Sequence, residues 1–475
     1  MRRIGITLTV GALVAAALTF ARTAPVSAAA LARPADPVVL TGADLPTLLN
    51  VGRPRIVGFR WNGSKWQQVP IQIDERAVVN FGKIYNDPTA VFYGSKPANV
   101  NQLVYTSSST WTGDDPNPAF DSDDELAFMA RDAGQPATGS TPAGVIATSG
   151  VEIRVTDPIA PGHGGYLYLF RTPLGSALAP GANRTYVTYN FRLLSGTYKT
   201  SYSRTAGPNP ENSVVTGATY TWHFSDRWLS DSIKVTAPGA TGVDILDRHK
   251  ALFSPGVCGR SEDTFDASGP NGSAEGAFIV NKSGPVRALR SYVGANSGPS
   301  TQRTHIFYDR REDIVTNLRV HAIPSIMDFM DYSPAAAGMT YRNNLNTSGV
   351  TIDGNPESPT AGRLTWEQVT GAQGTVTNVH SLQASTPPTS VTSYYLDDST
   401  PATAQCTGDA FAYGSSGPFT NSGIPCTDPA QGCTDTLVAT RTLYFDPPGG
   451  TAATAADEAR NATTPLHFTT APWSP

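Results

Sequence analysis

Short runs of β-branched and aromatic residues, separated by turn residues, recur along almost the whole chain. Residues 151–155, 166–170 and 220–224 are clear examples, and similar runs continue to residue 445. Short apolar or alternating runs between Gly, Pro, Asn and Ser predict β-strands, whereas the periodicity of long amphipathic helices is scarce. The pattern therefore predicts an all-β, mostly antiparallel protein with little helix.

The distribution of these runs divides the chain into two predicted units. Residues 37–134 form a smaller N-terminal β domain, in which Asn62-Gly63 predicts a tight hairpin. Residues 135–149, with several Pro and Gly, are expected to be a linker. Residues 150–448 hold too many strand candidates for one small sandwich, so we expect a large antiparallel β-sandwich or supersandwich domain. Residues 449–475, rich in Ala, Thr and Pro, are predicted to be a weakly ordered tail.

The first 30 residues have the pattern of a secretory signal peptide. Arg2 and Arg3 precede an apolar run over 4–20, and small residues follow at 26–30. The run is shorter than the roughly 20 residues that span a bilayer core, and the sequence has no second apolar span. We therefore expect a secreted, extracellular protein without a membrane span.

The charge balance is mildly acidic. The formal net charge is −5 at pH 7, and removal of residues 1–30 would take away Arg2, Arg3 and Arg22 but no acid, which gives −8. General binding to nucleic acid or to anionic membranes requires the opposite sign. We therefore expect no nucleic-acid partner.

Four cysteines form an even set, which in an exported chain predicts two disulfides. Of the three possible connectivities we favour Cys426 with Cys433, which closes a short loop, and Cys258 with Cys406, which ties the middle of the chain to its end. A zinc site is the alternative, but the sequence has no CxxC pair. The predicted disulfides are structural.

A predicted hairpin that turns at residues 309–311 carries the strongest candidate for chemistry. A three-residue loop would pair Tyr308 with Glu312 and leave one face largely apolar, whereas a two- or four-residue loop would mix charged and apolar side chains. Binary patterning therefore favours the three-residue loop. This register gathers two arginines and two histidines on one face: Arg303, His305, Arg319 and His321.

Such a cationic face suits an anionic ligand, because guanidinium groups bind carboxylates at two points and histidine exchanges a proton near neutral pH. For an exported protein we expect an acidic polysaccharide. Arg303 and Arg319 would neutralise a uronic carboxylate while His321 or Tyr332 removes the neighbouring proton, with His305 in the same cluster. This is the requirement of β-elimination. The alternative is an ordinary solvated sheet face.

Residues 323–341, directly after the second strand of this hairpin, are expected to form a loop that is both apolar and acidic. Three of the five methionines lie there, beside Asp328 and Asp331. If the reaction is hydrolysis, these two aspartates are the candidate carboxylate pair, although one short loop separates them less than an inverting mechanism needs.

A second cluster, within residues 114–132, is acidic. Calcium is held by about six to eight oxygen ligands, and closely spaced carboxylates in a loop supply them. The spacing is not that of an EF-hand, and a solvated turn is the alternative. The predicted calcium ligands are Asp121, Asp123, Asp124 and Glu125.

Three short segments resemble a known group of proteins. Val69-Pro-Ile-Gln-Ile-Asp-Glu75 and Asp124-Glu-Leu-Ala-Phe128 resemble the start of an uncharacterised family of secreted bacterial proteins, and Gly284-Pro-Val-Arg-Ala288 is similar to a Gly-Pro-x-Arg-Ala strand start of the same group. That family is grouped with the galactose-mutarotase-like β-supersandwich proteins, whose fold is shared by sugar epimerases, several polysaccharide lyases and some glycosidases. The resemblance implies carbohydrate as the substrate class and transfers no catalytic residue.

These observations predict a secreted carbohydrate-active protein that acts on an acidic extracellular polysaccharide, with a lyase favoured over a hydrolase. Calcium is the one cofactor expected. The alternatives are a non-catalytic carbohydrate-binding or cell-surface protein and a structural secreted protein without a ligand. The sequence leaves the sugar, the linkage and the oligomeric state open.

Overall fold

The computed structural model describes residues 30–81, 101–196, 199, 210–252, 276–294, 301–318, 325–386, 390–401, 408–420 and 435–475. Every strand pairing between these residues is antiparallel. The described residues include one complete α-helix, α1 (Ala452–Thr463). No helix of this part of the chain has the length and hydrophobicity to cross a membrane. The prediction of an all-β antiparallel fold is confirmed.

The strands are numbered in chain order. The first eleven are β1 (Pro37–Thr41), β2 (Val51–Gly52), β3 (Ile56–Trp61), β4 (Trp66–Val69), β5 (Gln72–Asp74), β6 (Arg76–Asn80), β7 (Asn101–Tyr105), β8 (Ala119–Phe120), β9 (Glu125–Met129), β10 (Val151–Thr156) and β11 (Gly164–Arg171). The next ten are β12 (Thr188–Asn190), β13 (Ser213–Thr216), β14 (Tyr220–Phe224), β15 (Ser230–Val235), β16 (Leu246–Leu252), β17 (Ala277–Lys282), β18 (Ala288–Val293), β19 (Gln302–Phe307), β20 (Arg311–Leu318) and β21 (Ile326–Tyr332). The last are β22 (Thr340–Asn343), β23 (Asn346–Thr351), β24 (Trp366–Gly371), β25 (Gly374–Ala384), β26 (Val391–Asp398), β27 (Ala412–Thr420), β28 (Leu437–Asp446) and β29 (His467–Pro472).

An N-terminal sandwich packs a five-stranded sheet, in the order β29-β10-β11-β3-β4, on a three-stranded sheet, β1-β9-β5. Leu40 and Phe128 of the smaller sheet share a core with Ile153 and Leu167 of the larger one. The sequence of β10 explains this packing, because its buried residues alternate with more exposed ones such as Arg154.

A nine-stranded sheet, in the order β17-β18-β19-β20-β28-β25-β24-β22-β23, forms the centre of the molecule. Two four-stranded sheets, β12-β13-β14-β15 and β16-β21-β27-β26, cover one of its faces, which we call the inner face. Phe307 and Leu443 of the large sheet pack there with Trp222 and Tyr332 of the two smaller sheets. The main hydrophobic core therefore lies between the large sheet and these two.

The opposite, outer face of the nine-stranded sheet carries the N-terminal sandwich and the helix. Tyr308 and Ile306 pack against Met129 of the three-stranded sheet. Ala455 of α1 packs against Trp366 and other residues of the outer face. Both faces of the large sheet are thus covered over much of their area.

The predicted division of the chain differs from the observed one. Strand β11 pairs with β3, and β10 pairs with β29, so one sheet joins strands from both predicted domains and from the predicted tail. The boundary placed at residues 135–149 therefore falls inside the N-terminal sandwich. Residues 449–475 are not a weakly ordered tail, because α1 packs on the large sheet and β29 closes an edge of the five-stranded sheet.

The register predicted for the hairpin between β19 and β20 is wrong. Phe307, and not Tyr308, pairs with Glu312, and the backbone N–H of Tyr308 donates to the carbonyl of Arg311. The turn therefore has two residues instead of three. A shift of one residue moves a strand's side chains to the opposite face, so Arg303 and His305 share their face with Glu312 and Thr316.

Three segments that are distant in sequence meet where the N-terminal sandwich contacts the large sheet. The side-chain oxygen of Gln72 accepts hydrogen bonds from the backbone N–H groups of Val286 and Arg287, both at 3.0 Å. The buried guanidinium of Arg287 donates to Asp74 and to Glu125, each at 2.8 Å. These are the segments on which the family resemblance rests, and the structure brings all three into contact.

Asp74 should make the stability of this contact depend on pH. Burial would raise its pKa, but Lys282 and Arg287 outweigh burial and lower the pKa to about 2 from 3.8. A lowered pKa contributes stability above the unfolded-state value, and this contribution is lost as the pH falls from about 4 to about 2. Asp74→Asn should therefore reduce the free energy of unfolding at pH 7 by about 2 kcal/mol.

Urea unfolding at several pH values checks this expectation. The difference between the wild type and Asp74→Asn should shrink as the pH falls from 4 to 2, whereas the exposed control Asp114→Asn should match the wild type throughout. A difference that stays constant over this range would contradict the ion-pair account.

Candidate functional site

The interior of the large sandwich opens to solvent at one edge. Strand β24 begins at Trp366, opposite Val379 of β25, and β25 continues beyond this point to Ala384. A cavity of about 450 Å³ lies here, which we call the edge depression. Its polar and aromatic lining includes Asp328, Arg363, Trp366, His380, Arg441 and Arg460.

Asp328 of β21 lies at the floor of the edge depression. Its Oδ1 atom accepts a hydrogen bond from His249 Nε2 at 2.8 Å, and the guanidinium groups of Arg303 and Arg441 lie 3.7 Å away. Burial raises the pKa of Asp328, but Arg441, His249 and Arg303 together lower it well below its usual range. With 11% of its side chain exposed, Asp328 presents an ionised carboxylate to the depression.

His249 orients this carboxylate without adding charge at neutral pH. Burial lowers its pKa to about 4, which outweighs the opposite effect of Asp328. The ring is therefore uncharged at pH 7, and its Nε2 carries the proton because that atom faces an ionised oxygen. The positive charge that balances Asp328 comes from the two arginines.

A second carboxylate–imidazole pair lies on β24 and β25. His380 Nε2 is 3.0 Å from Oε1 of Glu367, and the hydroxyl of Tyr341 donates to Oε2 of Glu367 at 3.3 Å. Glu367 is fully buried, and burial raises its pKa, but His380 and Arg441 outweigh this and lower it. Burial lowers the pKa of His380, so the pair at neutral pH is an ionised carboxylate with an uncharged ring.

The rim of the edge depression is basic. Arg363 and Arg460 are exposed, and Arg460 makes an exposed ion pair with Asp457 on the same helix. The helix α1 that carries Arg460 is held at its C-terminal end by Arg33, which donates to the carbonyl of Asn461 at 2.6 Å and to that of Thr464 at 2.9 Å. A buried guanidinium thus caps the free carbonyls of the helix end and fixes this wall.

The described part of the predicted cationic face is buried rather than open. Arg303 donates to Thr316 Oγ1 at 2.9 Å, and His305 contacts Glu312 at 2.7 Å and the hydroxyl of Tyr292 at 3.0 Å. The inner face is covered by the smaller sheets, so the predicted groove above β19 and β20 is filled with protein. Arg303 contributes to the observed site through Asp328, whereas His305 lies deeper in the sandwich.

The segment predicted as a loop with Asp328 and Asp331 is the buried strand β21. Asp328 contacts His249, whereas Asp331 contacts Lys250 at 2.5 Å. Side chains along a strand alternate between its two faces, so residues three positions apart, such as Asp328 and Asp331, point to opposite faces. The two aspartates therefore do not form a carboxylate pair. Tyr332 is buried in the main core, and burial raises its pKa, which disfavours the predicted role as a base.

Several predicted residues lie outside the described part of the chain. Residues 1–29, which hold most of the predicted signal peptide, are among them. The other positions are Arg319, His321, Cys258, Cys406, Cys426 and Cys433. Secretion and both disulfides therefore stay predictions.

The predicted calcium ligands have other partners. Asp124 is buried and accepts from the backbone N–H groups of Asp121 and Arg76, at 3.1 and 3.0 Å. Glu125 contacts Arg76 and Arg287. Among the described residues, the carboxylates that approach one another within 4.8 Å as a group of three are instead Asp353, Glu357 and Asp397. Asp397 already accepts three backbone N–H groups there.

Sequence reasoning missed His249, His380, Glu367 and Arg441. No acidic partner stands near either histidine in sequence, because Asp328 lies 79 positions from His249. A local signal exists in β25, where Asn378 and His380 occupy alternate positions on either side of Val379. Polar residues at alternate, buried positions indicate a polar inner face, but they do not identify its partners.

Comparisons with known proteins give little further information. No family model matches the chain, and no curated protein matches it significantly. The solved structure of the protein HI1317 is similar over 54% of this chain and 99% of that one, with 9% identity and a TM-score of 0.29. A putative aldose 1-epimerase from Klebsiella pneumoniae subsp. pneumoniae MGH 78578 is similar over 58% of this chain and 88% of that one, with 10% identity and the same TM-score. Likenesses this weak carry no argument about function, and the predicted family membership stays a prediction.

The loop around Asp124 offers a test of the calcium prediction. Asp124→Ala would leave two backbone N–H groups without their acceptor and should lower the free energy of unfolding by about 1–3 kcal/mol. Asp123→Ala is the matched control, because Asp123 is half-exposed and its pKa is raised to about 6 by partial burial and by Asp121.

Thermal unfolding in EDTA and in calcium measures both variants. We expect the loss in Asp124→Ala to be equal under the two conditions and Asp123→Ala to match the wild type. A loss that appears only when calcium is present would instead support the predicted cation site.

Proposed function

We propose that this protein binds an acidic saccharide in the edge depression and does so outside the cytoplasm. The observation that carries the proposal is a cavity with a basic rim, formed by the exposed guanidinium groups of Arg363 and Arg460. The cavity volume of about 450 Å³ lies within the roughly 300–1,000 Å³ common for small-molecule sites.

The lining combines the two kinds of surface that a sugar ring requires. Asp328, His380 and Arg441 are polar groups with fixed positions, which suits the donor and acceptor capacity of hydroxyl groups. Apolar side chains such as Trp366 and Val379 line the same depression from the outer-face side of the sheet edge, and they suit the C–H face of the ring. A ligand with hydroxyl groups and an apolar face fits this lining better than a purely apolar one.

The charge of the lining favours an acidic sugar over a neutral one. Arg363 and Arg460 are exposed at the rim, and Arg441 lies deeper, whereas Asp328 is the one carboxylate of the lining. Arg441 and Arg303 already balance Asp328, so the positive charge offered to a ligand is that of Arg363 and Arg460 at the rim. Guanidinium groups are suited to a carboxylate, which they bind at two points.

Two uses of such a site remain within the proposal. The protein is either an enzyme that processes an acidic extracellular polysaccharide, with a lyase favoured over a hydrolase, or a binding module for the same ligand. Asp328 and Asp331 have different partners, His249 and Lys250, so this pair gives a hydrolase no support.

Calorimetric titration with acidic and neutral oligosaccharides tests the proposal. The probes are trimers of galacturonate, glucuronate, mannuronate and guluronate, with the galactose and glucose trimers as neutral counterparts. We expect at least one uronate trimer to bind at least tenfold more tightly than the neutral ones, and this preference to weaken in high salt.

Variants locate the binding in the edge depression. Arg363→Gln combined with Arg460→Gln should weaken uronate binding about tenfold or more, the scale of a charge-assisted contact. Arg154→Gln combined with Arg310→Gln is the matched control, because these arginines are also exposed but lie elsewhere. Equal binding of neutral and acidic trimers, or the same loss in both double variants, would show that the proposal is wrong.

A further inference from the structure

We infer that His380 is the general base of a β-elimination that cleaves a uronic acid saccharide in the edge depression. This inference rests on the proposed function, because it needs the acidic saccharide to bind there. It assigns the reaction to a histidine on β25 that the sequence pattern did not single out.

The hydrogen bond to Glu367 fixes the tautomer of His380. Oε1 of the ionised Glu367 can only accept, so the His380 Nε2 atom 3.0 Å away must carry the proton. The lone pair then lies on Nδ1. This nitrogen makes no hydrogen bond within the described residues, and the ring lines the depression. A buried carboxylate that orients an imidazole in this way is the arrangement that general-base catalysis uses.

Arg441 stands directly opposite His380 on the neighbouring strand β28. Cross-strand neighbours have Cβ atoms roughly 5 Å apart, so the base and a guanidinium share one small region. Arg441 is fixed by hydrogen bonds to Asn378 Oδ1 at 3.3 Å and to the carbonyl of Asp328 at 2.8 Å. A fixed positive charge beside the base stabilises the negative charge that develops when the proton next to a carboxylate is removed.

The step balances without a further reactant. Nδ1 of His380 takes the proton from C5 of the uronosyl ring, the C5–H electron pair becomes the C4–C5 double bond, and the C4–O4 bond breaks. The oxygen of the departing saccharide then receives the proton from the His380 imidazolium. The products are an unsaturated uronosyl end and a new hydroxyl group, and His380 returns to its neutral form.

The other described candidates fit this role less well. His249 and His305 are fully buried, and neither of them lines the edge depression. Both ring nitrogens of His305 are also already hydrogen-bonded, to Tyr292 and to Glu312. Among the described residues that line the depression, His380 is the one histidine. Burial lowers its pKa, with Arg441 of β28 in the same direction and Glu367 of β24 and Asp328 of β21 opposed. The ring is therefore a neutral base at pH 7.

The test is the cleavage of uronate oligosaccharides by the purified chain, followed by the ultraviolet absorbance of the unsaturated product. His380→Gln should reduce kcat by roughly 100-fold or more while the dissociation constant for the same oligosaccharide stays within about twofold. His380→Ala should recover activity with added imidazole, which a purely structural defect would not show. His467→Gln, an exposed histidine on β29, is the control and should match the wild type.

Glu367→Gln separates orientation from packing. The amide can no longer hold Nε2–H against a full negative charge, so kcat should fall and its pH profile should shift, while circular dichroism shows an intact fold. Full turnover in His380→Gln would overturn the inference.

The outcomes distinguish this inference from the proposed function. Binding of a uronate trimer without any unsaturated product, or with new reducing ends but no absorbance, would overturn the β-elimination and leave the binding proposal standing. No binding of any uronate trimer would overturn the proposed function, and the inference with it.

Discussion

The buried guanidinium of Arg287 is the contact on which the arrangement of the molecule depends. It lies between Asp74 and Glu125, which belong to the N-terminal sandwich, whereas Arg287 itself precedes a strand of the large sheet. A buried charge is costly unless it is paired and hydrogen-bonded, and here each of the three charges has its partner. Moving the two units apart would leave Arg287 without either carboxylate and would separate Asp74 from both of its cationic partners, Arg287 and Lys282, whereas Glu125 would keep its ion pair with Arg76. The contact therefore strongly favours one relative position of the two units.

The large sheet is covered over much of both faces. The N-terminal sandwich and α1 cover the outer face, and the two four-stranded sheets cover the inner one. The inner face nevertheless carries a row of polar residues from Arg303 through Arg441 to His380. Because β25 continues beyond the start of β24, solvent reaches one end of this row, and the edge depression lies there.

The sequence predicts the fold class well and the site poorly, for one physical reason. Alternation and turn residues are local, so strands such as β10 and β14 could be predicted from their own composition. The partners of buried charges are not local. Binary patterning places charged residues on a solvated face, whereas Arg303 is buried and neutralised by Asp328 of another sheet. A one-residue difference in the hairpin turn then placed its side chains against different partners.

The polar row on the inner face calls for an explanation beyond stability. Replacing a buried ion pair by apolar residues of similar volume is often neutral or stabilising, so packing alone does not require Asp328, Arg441 and His249 inside a sandwich. Glu312 and His305, deeper in the same row, extend the network without reaching solvent. Where the row meets the depression, Asp328 is partly accessible, oriented by its partners and ionised. A low-dielectric wall behind them strengthens each electrostatic interaction with a ligand, and this is the property that a binding or catalytic site requires.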